Sequence, residues 1–272
     1  MALKGFGNPL TPLGEAALVD DPPHHISSDA ISVIFKVDPE RASRYLPDGL
    51  ELTEDALGYA FVADMLKISE KHPDQAWADP QRSQYNEGII GLYCHHKGEP
   101  GRFSAFIYVD RDWSVVFGHY MGFAKKQATI HKTRVQPANP TMGEVGVGTR
   151  LGGTVDRLGR RIFEMQVELT QALPDDGIPS YGHRVYTYRN LPSPSPEVPD
   201  SKHLLALDLE NATTINCWRG TGSVRFFDAP NEELAAFEPV EIVDAFAYQR
   251  GWTTKAGATL VRDYGLEPEA DR

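Results

Sequence analysis

The chain has 272 residues, enough to bury a large core, and no break in composition divides it, so one domain is expected. Its 27 basic and 38 acidic residues leave a net charge of -11, which excludes the basic face that a nucleic-acid partner needs but not a local positive pocket for a small anion. Cys94 and Cys217 are far apart and outside CxxC spacing, no apolar run approaches the roughly 18 residues of a membrane span, and the first residues lack a signal-peptide core; a soluble cytoplasmic protein without a membrane partner is expected.

Residues 1–25 are rich in Gly, Pro and Asp and read as an extended arm with at most one short helix over 13–19, of the kind that often lies on a neighbouring subunit. The β-branched run 30–37 reads as a strand. Asp38 and Pro39 supply an N-cap and a first helical position for a helix to about Tyr45, which Leu46-Pro47-Asp48-Gly49 stops. Residues 58–68 form a second apolar strand, and the aperiodic stretch 69–83 reads as a lid or a subunit contact. Runs 89–96 and 102–109 flank a turn at 97–101 and form a hairpin.

Further strands are expected at 128–132, 146–156, 162–170 after a tight turn at 157–160, 181–188, 204–209, 212–218, 223–227 and 240–248. The proline-rich stretch 191–199 is a stiff loop, Gly220-Thr221-Gly222 reads as a turn, residues 255–264 as a closing helix, and 267–272 as an acidic tail. Many short strands with hairpin turns and few helices give an α+β, mainly antiparallel fold curled into a barrel or cone, with residues 26–266 as one domain.

The chemistry is expected at Gly122-Phe123-Ala124-Lys125-Lys126, directly after the apolar run 113–117. An ammonium that is desolvated, or that lies beside a second ammonium, loses charge stabilisation, and free amine appears near neutral pH. A free amine attacks a ketone, and the protonated imine accepts the electron pair released when a neighbouring bond breaks. A lysine dipeptide by itself is usually a solvated surface feature.

Together with its flanks, this stretch resembles the signature of the acetoacetate decarboxylase family, in which the first of two lysines forms a Schiff base; that enzyme is a standard example of a lysine activated by a cationic neighbour. Tyr85-Asn86-Glu87-Gly88 resembles the family's Tyr-x-Glu segment. Gly153-Thr154-Val155-Asp156, Phe226-Phe227-Asp228 and residues 239–243 resemble later segments in the same order. The resemblance implies a closed, cone-like barrel, homo-oligomers, a small carbonyl substrate and no cofactor. It makes Lys125 the nucleophile, Lys126 the neighbouring cation or a structural residue, and Glu87 the proton carrier. The reaction it implies is C–C cleavage, by decarboxylation of a β-keto acid. An aldolase, dehydratase or retro-aldol lyase using the same lysine, and a non-catalytic binding barrel, are the alternatives.

The sequence departs from the family pattern where Ser28 replaces the arginine expected to hold the substrate carboxylate. A second carboxylate position falls at Phe61, with Asp64 close by, and Phe117-Gly118-His119 stands where the family carries Gly-Arg-Glu. His119 and Tyr120 are candidate hydrogen-bond donors to substrate, and Phe117, Met121 and Phe123 candidate pocket walls. Arg219 and Arg225 are candidate substitutes for the missing arginine. Cys94-His95-His96 is not read as a metal site, because adjacent strand residues point to opposite faces. Neither GxGxxG, Walker nor GxSxG spacing is present.

Overall fold

The computed structural model describes residues 2–180, 184–255 and 257–265. In chain order it contains β1 (His24–Lys36), α1 (Pro39–Ala42), β2 (Glu51–Leu52), β3 (Leu57–Ser69), α2 (Gln75–Ala78), β4 (Gln84–His96), β5 (Glu99–Val109) and α3 (Asp112–Met121). There follow β6 (Lys125–Gln127), β7 (Thr129–Lys132), β8 (Arg150–Arg157), β9 (Arg160–Ala172), β10 (Arg184–Leu191), β11 (Ser201–Leu207), β12 (Glu210–Phe226), β13 (Glu241–Thr254) and β14 (Thr259–Asp263).

The strands form one sheet in the order β14-β11-β10-β5-β4-β3-β1-β13-β12-β9-β8-β7, with β2 added on β4 and β6 on β5. The β10–β5 and β5–β6 ladders are parallel and the others antiparallel. Among the described residues no ladder joins β14 to β7, so the sheet curls strongly without the hydrogen-bonded closure expected of a barrel.

Two-residue periodicity gives the central strands two buried faces. On β1, Ile31, Val33 and Phe35 enter the main core with Val62 of β3, Leu92 of β4 and Phe163 of β9, each such side chain contributing about 1.5–3 kcal/mol on burial. The alternate residues Ile26, Ser28, Ser32 and Ile34 line a cavity on the opposite face. Sheet layers approach closely over the core: a Cβ on Gly153 of β8 would stand 2.8 Å from Val62 Cβ. The β8–β9 turn has Leu158 and Gly159 at φ 51° and 75°, the left-handed pair of a type I′ hairpin.

Several expectations are corrected. Residues 255–264 are not a helix: β14 occupies Thr259–Asp263 and adds to the edge of β11. A segment this short gains more from edge pairing than from an isolated turn of helix. Residues 212–218 and 223–226 belong to one strand, β12. Its glycines are demanded by contact and not by a turn, since a Cβ on Gly220 would meet Glu168 O at 2.3 Å. No helix forms over 13–19, and the arm folds onto its own chain, with Val19 buried against Phe117 and Met121 of α3. The stretch 69–83 carries α2 and a 3-10 turn, and Arg82 pairs with Asp20 of the arm at 2.8 Å. The tail at 267–272 and residues 181–183 of the expected strand lie outside the described residues. Among the described residues no helix is long and apolar enough to cross a membrane.

Candidate active site

The cavity, of about 360 Å³, lies between the curled sheet and α3, within the size range of small-molecule sites. The apolar run 113–117 is helical: Trp113, Phe117 and Met121 recur every four residues, and with Ser114 and Gly118 they form the buried face of α3. The helix ends at Gly122, whose φ of 85° is left-handed. A Cβ there would stand 2.8 Å from Thr187 Oγ1, so this C-cap requires glycine. The turn delivers Lys125 to β6, alongside Ile107 of β5.

Lys125 is 6% exposed and its Nζ enters the cavity. It donates to Glu87 Oε2 at 2.7 Å and Ser114 Oγ at 3.2 Å, and lies 5.2 Å from the centre of the Tyr85 ring. Glu87, 7% exposed, comes from β4. Its neighbours on this face are Tyr85 and Ile89. His119 does not line the cavity; its Nε2 donates to the Lys125 carbonyl at 3.1 Å and so holds the strand. Phe117, Met121, Phe123, Phe61 and Ser28 line the cavity.

Five sequence-derived candidates lie elsewhere. Lys126 follows Lys125 on a strand and therefore points to the other face, where its Nζ donates to Glu232 Oε2 at 2.9 Å and to Asn231 O. Glu232 is buried and also accepts from the Tyr108 hydroxyl at 2.6 Å. Asp64 has the wrong parity on β3. It stands opposite Asp29, away from the cavity, and burial raises its pKa. Tyr120 is half exposed on the outer side of α3, edge-on to Phe6 of the arm. Arg219 is paired with Asp244 at 2.9 Å, and Arg225 stacks on Phe227.

A second buried lysine whose charge is felt together with that of Lys125 is Lys67 of β3, which is 3% exposed. Its Nζ lies 4.9 Å from the Phe117 ring centre and 5.2 Å from that of Trp113, and it makes no ion pair among the described residues. Burial is the main cause of its pKa falling to about 8, with a further contribution from the charge of Lys125. Burial and the Lys67 charge together lower His24, edge-on to Phe117, to about 4. Lys67, Ser114, Arg102 and Arg250 were not read as site residues from sequence. Lys67 had one signal, an even spacing from Phe61 and Met65 on an apolar strand.

A buried amine held against a carboxylate in an apolar-walled cavity can form an imine with a carbonyl compound. Several known proteins resemble the chain. An acetoacetate decarboxylase-like enzyme from Sphingomonas wittichii RW1 is 29% identical, with a TM-score of 0.89 over 95% of this chain and 99% of that one. The enduracididine biosynthesis enzyme MppR, in complex with the condensation product of pyruvate and imidazole 4-carboxaldehyde, is 28% identical, with a TM-score of 0.86 over 97% and 98%. Acetoacetate decarboxylase from Legionella pneumophila, 17% identical with a TM-score of 0.76 over 97% and 98%, shares the fold. No curated protein matches the chain. The acetoacetate decarboxylase family model matches residues 7–264, and the chain therefore belongs to that family.

Proposed function

We propose that the protein is a Schiff-base lyase in which Lys125 forms an imine with a ketone or β-keto acid. The observation that carries the reading is the 2.7 Å contact between the buried Lys125 Nζ and Glu87. Glu87 accepts the ammonium proton, and the free amine attacks the carbonyl carbon. Loss of water leaves a protonated imine. When a β-keto acid is bound, the C–C bond to its carboxylate breaks, the electron pair flows into the iminium, and carbon dioxide departs. Glu87, having returned its proton to the hydroxyl that leaves as water, takes another from solvent and gives it to the enamine carbon, and water releases the ketone and regenerates the amine.

A second reading keeps the imine but runs an aldol-type addition or cleavage. It is favoured by Ser28, which stands where the decarboxylase pattern carries arginine, and by the likeness to MppR, whose bound ligand is a pyruvate condensation product. The protein is incubated with acetoacetate, pyruvate and a panel of ketones and aldehydes, reduced with borohydride, and mapped by peptide mass spectrometry. An adduct on Lys125 that is absent in Lys125→Ala is expected. Carbon dioxide release from acetoacetate then identifies a decarboxylase, and C–C bond formation from pyruvate an aldolase. Failure to trap any carbonyl compound on Lys125 would overturn both readings and leave a binding protein.

A further inference from the structure

The cavity holds two arginines that the Lys125 chemistry leaves unused. Arg102 projects from β5 and Arg250 from β13, and both line the same cavity as Lys125. Among the described residues neither guanidinium makes a hydrogen bond or an ion pair, and Arg250 Nε is buried without a partner. Burial, then the charge of Arg102, lowers the Arg250 pKa. A buried guanidinium nitrogen without an acceptor costs free energy that a bound anion would recover.

A third group points the same way. Ser28, 3% exposed, has a buried Oγ with no partner, and it is the direct cross-strand neighbour of Arg250. The small side chain on β1 therefore sits next to a long cation supplied by the adjacent strand. Of the carboxylates on the cavity wall, Glu87 is held by Lys125. Asp176 accepts from Thr214 N–H at 2.7 Å and stands beyond ion-pair distance of both arginines.

We propose that Arg250, Arg102 and the Ser28 hydroxyl form a carboxylate-docking site, and that the substrate is a keto acid whose carboxylate is separated from its ketone by a short carbon chain. The separation follows from topology. β5, β4, β3 and β1 lie between β6 and β13 in the sheet order, which puts Arg250 on another wall of the cavity from Lys125, and Arg102 lies five residues along β5 from Ile107, the partner of Lys125. An arginine pair suits a carboxylate because the planar fork donates two parallel hydrogen bonds. The site rests on the Schiff-base reading for the identity of the reacting ketone, but anion binding is measurable without it.

The test has two arms. In the first, calorimetry compares valerate with neutral valeramide, neither of which forms an imine. Wild type is expected to bind valerate at least about tenfold more tightly, a preference lost in Arg250→Gln/Arg102→Gln and partly kept in Arg250→Lys. In the second, borohydride trapping compares levulinate with methyl levulinate. Levulinate is expected to label Lys125 at about tenfold lower concentration in wild type and at equal concentration in the double variant. Circular dichroism and melting of each variant confirm the fold. Absence of valerate binding, equal binding of acid and amide by wild type, or a preference that survives in a folded double variant would overturn the docking site. An intact valerate preference with no labelling of Lys125 by either ketone would overturn the Schiff-base reading and leave the anion site standing.

Discussion

Gly118 of α3 lies against the stem of Lys125: a Cβ at position 118 would stand 2.5 Å from Lys125 Cδ and 2.6 Å from Cγ. The helix and β6 are thus in contact through a missing side chain. The amine end cannot swing aside without losing its bonds to Glu87 and Ser114.

Gly118→Ala separates helix propensity from amine placement. In an unconstrained helix this change stabilises by about 1 kcal/mol. Here the added methyl displaces Lys125, and a displacement of about 1 Å at a reacting group costs on the order of 100-fold. Borohydride trapping of ketones on Lys125 should therefore slow by at least about tenfold while far-UV circular dichroism is unchanged. Wild-type trapping rates would refute the contact.

Glu87→Gln keeps the shape of the side chain and removes the acceptor charge 2.7 Å from Lys125. Positioned acid–base groups contribute about 100-fold or more, so the single-turnover rate of adduct formation should fall by about that factor. Full activity in Glu87→Gln would move the proton carrier elsewhere in the cavity.

Lys67→Met tests the buried cation through stability. The folded-state pKa of Lys67 is about 8 against 10.5 for a free lysine, so between these values the unfolded chain binds more protons and stability rises with pH. Below pH 8 both states are protonated and the folded state bears the full cost of a desolvated charge, about 3 kcal/mol. Lys67→Met should be more stable than wild type below about pH 8 and lose that advantage toward pH 10. Urea denaturation across this range reads the difference; a pH-independent difference would refute the assignment.

Lys126→Met addresses the other lysine. The pair with Glu232 is buried on the carboxylate side and partly exposed on the lysine side, while Arg157 at 3.4 Å and Tyr108 at 2.6 Å remain. A stability loss of about 1–2 kcal/mol is expected, with trapping on Lys125 retained. Loss of trapping without loss of stability would return Lys126 to the chemistry.

Much of the candidate site was legible in the linear pattern. The lysine segment, and Glu87 placed 38 residues before Lys125, marked the two groups that meet in the cavity. The strand runs at 58–68, 89–96 and 102–109 marked walls of that cavity. The separation of Lys125 from Lys126 was also readable, because neighbouring strand residues face opposite ways, but the family resemblance drew attention to the dipeptide as a pair. The apolar run 113–117 hid a helix, since a short apolar run does not distinguish helix from strand.

What the sequence determined by itself is local: alternation on β1, β3 and β4, the Asp38 cap on α1, which bonds Glu40 N and Arg41 N, the glycine at the end of α3, and the family signature. Tertiary structure alone decided that Arg102 and Arg250 share one cavity with Lys125, that Lys67 is buried against Trp113 and Phe117, and that the arm packs on α3. These residues come from β3, β5, β13 and β6, and they meet because strands remote in sequence pair and the sheet curls. Side-chain parity is a property of each strand, whereas the neighbours that a side chain meets across the cavity depend on pairings that no single stretch of sequence encodes.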